Sequence, residues 1–229
     1  MKDVVQKQIQ AYQSNFIKFG VSPLGTFQNN TTTQQERFYQ LLKPLIDIFA
    51  KDFSICDIGS GVCDLHAYLN QRGIKHDYTG IEIVPEMVSA SKLLYPEINV
   101  IEGDVLEMID FSKKKFDFVV LSGVFNLPGD VSKEDWEVFV FRMIEKMFEI
   151  SNRAISFNAL TTFTTFRSEE LYYLDSFKVV EFIQRNLSRF YVLNSAYPLY
   201  ENTYTVFKEL SIEESYPAQE FKKYFKAKK

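Results

Sequence analysis

Strand-like and helix-like segments alternate along most of this chain, and that alternation constrains its fold more strongly than any other feature. The strand-like segments are short apolar runs bounded by turn residues, and helical spacing of apolar residues separates most of them. Such alternation predicts an α/β fold, in which a mostly parallel sheet carries helices on both faces. The predicted strands are 53–57, 78–82, 99–101, 116–122, 154–160, 189–195 and 204–210.

The chain also carries local signals for the ends of its helices. Thr33 and Glu36 have the Thr-x-x-Glu spacing of a capping box and precede an apolar helical pattern. Gly73 can terminate the helix that follows strand one, because glycine accepts a left-handed conformation without penalty. Pro85 suits the first turn of the next helix, where its missing N–H is not needed. Ser132 is predicted to cap the helix after strand four.

Length and composition indicate a single domain, 1–229. With 229 residues and 46% hydrophobic content, the chain can bury a substantial core, and no Gly/Ser/Pro-rich linker or internal repeat divides it. The formal net charge of -4 disfavours a nucleic-acid partner, since phosphate binding usually leaves a basic surface. No segment approaches the roughly 18 apolar residues of a membrane span, so no membrane partner is expected.

The two cysteines favour a reduced environment. Cys56 and Cys63 fall in a segment with a strand, turn and helix pattern, which argues against a disulfide framework or a zinc site. The first 20 residues contain no continuous apolar stretch of the kind that opens an export signal. A cytoplasmic location is therefore expected.

The most informative motif is the turn after strand one, Asp57-Ile-Gly59-Ser-Gly61-Val-Cys-Asp64. Two glycines let the backbone approach a ligand closely, and the following helix offers free N–H groups to an anion. Glu82 ends the next strand, about the spacing at which a carboxylate meets ribose hydroxyls in nucleotide-binding folds. A dinucleotide fingerprint would place Gly or Ala at position 64, where this chain has Asp64, so NAD and FAD are disfavoured.

Taken in order, these residues resemble the motifs of class I S-adenosylmethionine-dependent methyltransferases. The motifs are the glycine turn, Glu82 at the end of strand two, Gly103-Asp104 after strand three, and strand four, Phe116-Asp-Phe-Val-Val-Leu121. The resemblance implies a Rossmann-like sheet of seven strands that is mostly parallel and has an antiparallel last strand. It also implies S-adenosyl-L-methionine as the cofactor.

The resemblance further implies roles for individual residues. Gly59 and Gly61 would approach the methionine part of the cofactor, and Glu82 would hold the ribose hydroxyls. Asp104 would accept a hydrogen bond from the adenine amino group, and the Val105 N–H would face the adenine ring. The cofactor-binding residues implied in this way are Asp57, Gly59, Ser60, Gly61, Glu82, Ile83, Gly103, Asp104, Val105 and Ser122.

The N-terminal segment resembles the leader of a subgroup of small bacterial methyltransferases of mostly unassigned acceptor. It contains Phe19-Gly20-x-Ser22-Pro23-x-Gly25, followed by Gln34, Gln35, Arg37 and Phe38. We expect 1–50 to form a helical cap over the cofactor and 161–203 to be an acceptor-side insertion. Arg37 is a candidate partner for the cofactor carboxylate, because a guanidinium fork matches a carboxylate. The alternative is an ordinary surface arginine in the first turn of a helix.

Motifs that the chain lacks narrow the choice of acceptor. Strand four is followed by Ser122-Gly-Val-Phe-Asn126, with neither the Asn/Asp-Pro-Pro-Tyr motif of amino-methylating DNA enzymes nor a Pro-Cys nucleophile. The strand also ends without the carboxylates that hold magnesium in catechol-type members, so no catalytic metal is expected. His66 is expected to have a structural role. The resulting prediction is methyl transfer to an oxygen or nitrogen atom of a small molecule.

The sequence does not identify a catalytic base. Tyr172, Tyr173 and Arg167 are candidates only because they follow strand five, at the edge where an acceptor would enter. The alternative is that this aromatic segment packs onto the sheet.

Two rival functions stay open at this point. One is a non-catalytic S-adenosylmethionine-binding partner subunit, and the other is a different enzyme class on the same fold, such as an aminopropyltransferase or a nicotinamide oxidoreductase. Acceptor identity and oligomeric state are not predicted.

Overall fold

The computed structural model describes residues 2–49, 52–108 and 115–225, and its centre is one sheet of seven strands. The strands are β1 (Phe53–Ile58), β2 (His76–Glu82), β3 (Asn99–Glu102), β4 (Phe116–Leu121), β5 (Ser151–Leu160), β6 (Tyr191–Asn194) and β7 (Glu201–Phe207). Their order across the sheet is β3-β2-β1-β4-β5-β7-β6. All neighbouring pairs from β3 to β5 are parallel. β7 is antiparallel to both β5 and β6, which confirms the mostly parallel sheet with an antiparallel last strand.

The strand order reverses between β1 and β4. β1 is paired on one side with β2 and on the other with β4, so chain connections from this pair lead in opposite directions across the sheet. In open α/β sheets the connections separate at such a point, and a crevice forms beyond the carboxyl ends of the strands. The topology therefore puts the turns after β1, β2 and β4 around one crevice.

Helices cover both faces of the sheet, as predicted. Alternate residues of β4 show the two layers: Phe118 and Val120 join a core with α2 (Thr31–Phe49) and α3 (Asp64–Gln71), whereas Val119 and Leu121 join a core with α5 (Lys133–Ile150). None of the described helices is long and apolar enough to cross a membrane. The helices are α1 (Lys2–Phe19), α2 (Thr31–Phe49), α3 (Asp64–Gln71), α4 (Pro85–Leu94), α5 (Lys133–Ile150), α6 (Ser176–Phe182) and α7 (Glu209–Ser215).

The start of α2 differs from the sequence prediction. The helix begins at Thr31, so a capping box that starts it at Thr33 with Glu36 is wrong. Asn30 caps the helix instead, because its Oδ1 accepts a hydrogen bond from the Thr33 N–H at 3.0 Å. Asparagine caps helices at least as well as threonine, so Asn30 and Thr33 were both suitable N-cap residues by their chemistry.

The other predicted helix ends are confirmed. Gly73 follows α3 with a positive φ of 65°, and Pro85 is the first residue of α4. Ser132 precedes α5, and its Oγ accepts a hydrogen bond from the Asp135 N–H at 3.1 Å. These ends need only one residue in the correct local conformation, which is why short sequence signals located them.

The N-terminal segment crosses the carboxyl edge of the sheet. The side chain of Gln8 on α1 donates to the backbone carbonyl of Leu127, which follows β4, at 2.5 Å. Gln13, also on α1, donates to Glu86 Oε1 on α4 at 2.6 Å. α1 therefore spans the crevice between the segments that follow β2 and β4.

Candidate active site

A cleft opens beyond the carboxyl ends of β1, β2 and β4, with about 720 Å³ of empty space including its mouth. We call it the main cleft. Its walls come from the turn after β1, the end of β2, the loop after β4 and the N-terminal helices. The residues lining it that were predicted to bind the cofactor are Asp57, Gly59, Ser60, Gly61, Glu82, Ile83 and Ser122.

The turn after β1 presents its backbone closely to the segments around it. Gly59 and Gly61 have φ values of 69° and 56°, a region that L side chains rarely adopt. A Cβ atom on Gly59 would overlap the side chain of Val124 in the loop after β4. A Cβ atom on Gly61 would lie 3.2 Å from Thr26 Cγ2 in the N-terminal segment. Both glycines are therefore needed for the backbone conformation and for close approach.

Glu82 holds the main cleft together from the end of β2. Its Oε2 accepts a hydrogen bond from the Gly61 N–H at 2.8 Å, and its Oε1 accepts from the N–H groups of Ile83 at 2.8 Å and Val84 at 3.0 Å. Burial raises the pKa of this carboxyl group, whereas the three backbone donors lower it. Glu82 thus connects the glycine turn to the β2 loop and still lines the cavity.

Two aspartates face the same cleft from the turn itself. Asp57 is buried and accepts a hydrogen bond from the Tyr78 hydroxyl at 2.7 Å. Burial raises its pKa to about 7, against a lowering by the Tyr78 hydroxyl, and Glu82 and Asp64 raise it further. Asp64 accepts from Gln34 Nε2 at 2.8 Å, and burial raises its pKa too.

The main cleft is consequently an anionic site. Asp57, Asp64 and Glu82 all line it, and no lysine, arginine or histidine is among the described residues that do so. Carboxylates grouped without a basic partner raise one another's pKa and favour a cationic ligand. The electrostatics of the cleft therefore fit a ligand that carries positive charge.

A side cavity with about 440 Å³ of empty space adjoins the main cleft and shares Gly59, Ile83 and Val124 with it. It is lined by the three remaining residues of the predicted set that follow β3, Gly103, Asp104 and Val105. Asp104 Oδ1 accepts a hydrogen bond from the Leu106 N–H at 2.9 Å, and burial raises the pKa of the carboxyl group. Apart from Gln8 the other walls are apolar, so the side cavity suits a flat ring with few polar groups.

Ser122 brings a polar group without an internal partner to the main cleft. Its Oγ is buried and makes no hydrogen bond to any described residue. The next residue, Gly123, donates its N–H to Asn158 Oδ1 on β5 at 2.8 Å, which fixes the loop after β4. A buried hydroxyl group without a hydrogen-bond partner is uncommon in a folded protein, and a bound ligand would supply that partner.

Arg37 lies outside the main cleft. Its Nε is 2.8 Å from Glu201 Oε1 and 3.1 Å from Oε2, and its Nη1 donates to Gln28 Oε1 at 2.5 Å. The side chains of Arg37 and Glu201 are 12% and 0% exposed, so Arg37 is not an ordinary surface residue. Its carboxylate partner in the structure is Glu201, on β7. The arginine lines a second chamber, which adjoins the main cleft and also contacts Asn126 and Leu160.

The three candidate catalytic residues do not line the main cleft or the second chamber. Tyr172 is buried, and its hydroxyl donates to Glu137 on α5 at 3.3 Å. The Tyr173 hydroxyl accepts from the Ser168 N–H at 2.8 Å. Arg167 is exposed and donates to the backbone carbonyl of Thr162 at 2.5 Å. From the predicted acceptor-side insertion 161–203, only Leu171 is among the described residues that line the second chamber.

Sequence reasoning assigned no role to several residues that line the main cleft. Most of them come from the N-terminal segment, whose position over the crevice depends on contacts between distant parts of the chain. Asp64 directly follows the glycine turn, and this position alone is a local signal for a cleft-lining residue. In the sequence pattern it stands out only as a departure from the dinucleotide fingerprint. The cleft-lining residues without an assigned role include Gln8, Tyr12, Thr26, Gln28, Gln34 and Asp64.

The histidine expected to be structural is packed inside the protein. His66 is buried, and its Nδ1 lies 2.9 Å from Nε2 of His76. Burial lowers the pKa of His66, with a smaller contribution from His76. Within residues 2–49, 52–108 and 115–225, no group of three or more His, Cys, Asp or Glu side chains is arranged to hold a metal ion.

Comparisons with known proteins place this arrangement in context. Residues 56–143 match a family model described as a methyltransferase domain. A protein of Mycobacterium tuberculosis (strain ATCC 25618 / H37Rv) named "Putative methyltransferase Rv1506c" is 34% identical over 161 residues, which cover 69% of this chain and 95% of that protein.

Two solved structures share the architecture at low sequence identity. Magnesium protoporphyrin IX methyltransferase (ChlM) from Synechocystis PCC 6803, solved with bound SAM, matches with a TM-score of 0.56 and 16% identity, over 77% of this chain and 80% of that chain. The pyocyanin biosynthetic protein PhzM matches with a TM-score of 0.58 and 14% identity, over 86% of this chain and 61% of that chain. These likenesses show a common fold.

Proposed function

Because this chain belongs to the class I S-adenosylmethionine-dependent methyltransferases, we propose that it methylates an oxygen or nitrogen atom of a small molecule with the cofactor bound in the main cleft. The observation that carries the proposal is the convergence of Asp57, Asp64 and Glu82 beside the glycine turn. Such a site matches a ligand with a cationic sulfonium and a cationic ammonium group.

The residues present fit S-adenosylmethionine in each part of the cleft. The aspartates of the turn would hold the ammonium group, and Glu82 would accept from the ribose hydroxyls with the lone pairs that its backbone donors leave free. Asp104, Val105 and Ile83 in the side cavity would bind the adenine ring. Ser122 Oγ, which lacks a partner among the described residues, would gain one from the ligand.

S-adenosylmethionine, when bound, supplies an electrophilic methyl carbon that bonds to the acceptor's lone pair while the carbon–sulfur bond breaks and its electrons stay on sulfur. The protein's contribution is to orient the acceptor and to exclude water. Tyr12 suits both tasks, because it lines the main cleft and the second chamber and packs edge-on against Phe27 with ring centroids 4.9 Å apart. Burial and the nearby Glu82 raise the pKa of Tyr12, so its hydroxyl stays protonated and acts as a donor.

Two further features support a small-molecule acceptor. The names of the structural relatives describe a magnesium protoporphyrin IX methyltransferase and a pyocyanin biosynthetic protein, both concerned with small molecules. The second chamber adjoins the main cleft and, with about 730 Å³ of empty space including its mouth, has room for part of a small molecule. We propose that 1–50 acts as the cap over the cofactor and that the acceptor enters through the second chamber, with 161–203 contributing to its outer side.

Calorimetry with S-adenosylhomocysteine, decarboxylated S-adenosylmethionine and NAD tests the cofactor assignment. We expect S-adenosylhomocysteine to bind and NAD to bind weakly or not at all, with decarboxylated S-adenosylmethionine no tighter than S-adenosylhomocysteine. Preference for decarboxylated S-adenosylmethionine would favour aminopropyl transfer, and preference for NAD would favour an oxidoreductase; either result would overturn the proposal.

The variant Glu82→Gln sharpens the test at one residue. Its amide oxygen can still accept from Ile83 and Val84, but the amide nitrogen cannot accept from Gly61 or from a ribose hydroxyl. We expect a loss of S-adenosylhomocysteine affinity of about 10- to 100-fold, the range for hydrogen bonds to a charged group. Glu102→Gln is the matched control, since Glu102 is the exposed register partner of Glu82 on β3. Equal affinities in the two variants would show that Glu82 does not bind the ribose hydroxyls.

A further inference from the structure

We propose that the methyl acceptor carries a carboxylate group and that Arg37, Gln28 and Asn126 bind this group in the second chamber. The inference rests on the proposed function, because it identifies the chemical class of the acceptor at the same site. It is based on which hydrogen-bonding atoms the chamber presents to a ligand.

The second chamber opens directly onto the main cleft. Tyr12, Thr26, Gln28 and Gly123 line both spaces. A molecule held in the second chamber therefore abuts the cofactor site without crossing a wall of the protein. This continuity makes the chamber a suitable place to anchor one end of an acceptor while its other end reaches the main cleft.

Three side-chain amides line the chamber, and two of them, Gln28 and Asn126, are held with their NH₂ groups available, whereas Asn29 is the third. Gln28 Oε1 accepts from Arg37 Nη1 at 2.5 Å, and Asn126 Oδ1 accepts from the Leu160 N–H at 3.1 Å. A guanidinium and a backbone N–H can only donate, so each amide oxygen must face its partner. Neither amide can rotate by half a turn without losing that hydrogen bond. Gln28 Nε2 and Asn126 Nδ2 are consequently left as donors without a partner among the described residues.

Arg37 adds a third donor that bears charge. Its Nε and Nη1 are engaged by Glu201 and Gln28, whereas Nη2 makes no hydrogen bond within the described residues. Glu201 is fully buried and already balances part of the positive charge of the guanidinium. The ion pair is close to neutral overall, so what Arg37 still offers is the N–H donors of Nη2, which suit a singly charged carboxylate better than a doubly charged phosphate. Planar guanidinium and amide groups also match the planar geometry of a carboxylate.

The chamber offers little to a ligand that mainly donates hydrogen bonds. No aspartate or glutamate is among the described residues that line it. Polyols and amines would leave their donors without carboxylate acceptors, and the amides would stay unsatisfied. Phe27, Leu160 and Leu171 provide apolar walls for the remainder of the acceptor. The lining as a whole selects a carboxylate attached to an apolar body.

Matched pairs of acid and amide test this inference in protein saturated with S-adenosylhomocysteine. The probes are benzoate with benzamide, 3-phenylpropanoate with 3-phenylpropanamide, and hexanoate with hexanamide, titrated by NMR or calorimetry into the millimolar range. We expect at least one acid to bind about tenfold or more tightly than its amide, as a charge-assisted hydrogen bond requires.

The variant Asn126→Asp tests the contribution of the Asn126 NH₂ donor alone. The new carboxylate oxygen still accepts from the Leu160 N–H, so the fold keeps its hydrogen bond, but an anion replaces the NH₂ group. Asn126 lines the second chamber and is not among the residues lining the main cleft. We expect acid binding to fall about tenfold or more while S-adenosylhomocysteine affinity stays unchanged. Asn152→Asp, at the exposed amino end of β5 on the opposite edge of the sheet, has the same charge change and should bind acids normally.

The outcomes separate this inference from the proposed function. If S-adenosylhomocysteine binds but no acid does, or if acids and amides bind equally, the carboxylate assignment is wrong and the methyltransferase site stands. Tighter binding of phenyl phosphate than of benzoate would also overturn it. Failure to bind S-adenosylhomocysteine would instead overturn the proposed function on which the inference rests.

Discussion

The main cleft and the second chamber are built in different ways. In the main cleft, Glu82 receives backbone donors from Gly61, Ile83 and Val84, all within 21 positions of it. In the second chamber, the lining residue Arg37 is held by Glu201, which lies outside the lining and 164 positions away in the sequence. The cleft therefore depends on backbone geometry that a short motif can encode, whereas the chamber depends on side-chain pairs between distant segments.

The two sites also treat charge differently. The carboxylates of the main cleft face one another without a basic partner among the described lining residues, and the pKa of Asp57 is raised as a result of burial and of this grouping. In the second chamber the arginine is already paired with a buried glutamate. Altering the unpaired carboxylates of the main cleft is expected to change binding first, whereas breaking the internal ion pair beside the second chamber is expected to change stability as well as binding.

The largest effect is expected at the internal pair. Arg37→Ala leaves Glu201 buried without a cation, and we expect a loss of about 3 to 5 kcal/mol in the free energy of unfolding, measured by urea titration. Arg185→Ala is the control, because its i,i+4 pair with Glu181 is exposed and should contribute less than about 1 kcal/mol. Similar losses in the two variants would contradict the contrast between an internal pair and a surface pair.

A smaller effect on stability and a clear effect on binding are expected in the glycine turn. Gly61→Ala and Gly73→Ala each force an L side chain into positive φ, at roughly 1 to 2 kcal/mol. At Gly73 no heavy atom lies within 4 Å of the added Cβ, whereas at Gly61 Thr26 is 3.2 Å away. We expect only Gly61→Ala to weaken S-adenosylhomocysteine binding, by about tenfold or more, equivalent to roughly 1.4 kcal/mol. Unchanged affinity in that variant would mean that the turn only shapes the fold.

The pH dependence of binding probes the unpaired charge of the main cleft. The pKa of Asp57 is about 7 in the folded protein, above the value of about 4 for an unfolded aspartate. Between these values the folded state binds the additional proton, so the contribution of Asp57 to stability falls as the pH rises. A cationic ligand favours the ionised form, so affinity should rise towards pH 7 by up to about tenfold per pH unit, with proton release near pH 7.

Calorimetry with S-adenosylhomocysteine in buffers of different ionisation enthalpy measures both quantities. Asp57→Asn cannot titrate, and its binding should therefore lose this part of the pH dependence. Affinity that is independent of pH in the wild-type protein would show that Asp57 does not face the charged part of the ligand.

The smallest effects are expected at the sequence-predicted catalytic candidates. Arg167→Ala removes an exposed side chain and should change stability by less than about 0.5 kcal/mol. Tyr172→Phe removes a hydrogen bond to Glu137 on α5 and should cost about 1 kcal/mol or less. Neither variant should alter S-adenosylhomocysteine affinity. If either variant lost methyl transfer selectively and kept its stability, the segment after β5 would have to be part of the acceptor site.

The main cleft could be predicted because its signals are local. Alternating apolar patterns gave β1 to β5 within a few residues of their observed ends, except that β5 begins at Ser151, earlier than expected. The glycine turn, Glu82 and the loop after β3 converge because parallel strands end at one edge of a sheet. Convergence of this kind follows from strand order alone and needs no knowledge of side-chain contacts.

The surroundings of the second chamber could not be predicted in the same way. β7 begins at Glu201, three residues before the strand expected from the apolar pattern, because Glu201, Asn202 and Thr203 are polar and yet buried. Arg37 and Ser176, the partners of Glu201 and Asn202, come from distant segments of the chain, whereas Tyr197, the partner of Thr203, is only six residues away. No pattern within a short window can reveal that a polar residue will be satisfied by a distant one.

The position of β7 between β5 and β6 has a consequence for biosynthesis. β6 pairs only with β7 in the described sheet, and β5 keeps one edge open until β7 arrives. Ribosomes add about 5 to 20 residues per second, so the stretch from Leu160 to Phe207 takes roughly 2 to 10 seconds to emerge. During that interval the nascent chain exposes a long apolar edge strand, the kind of surface that aggregates or recruits chaperones. A chain that ends before Glu201, such as one from a stalled ribosome, would contain the complete glycine turn but would lack β7 and could not complete its sheet.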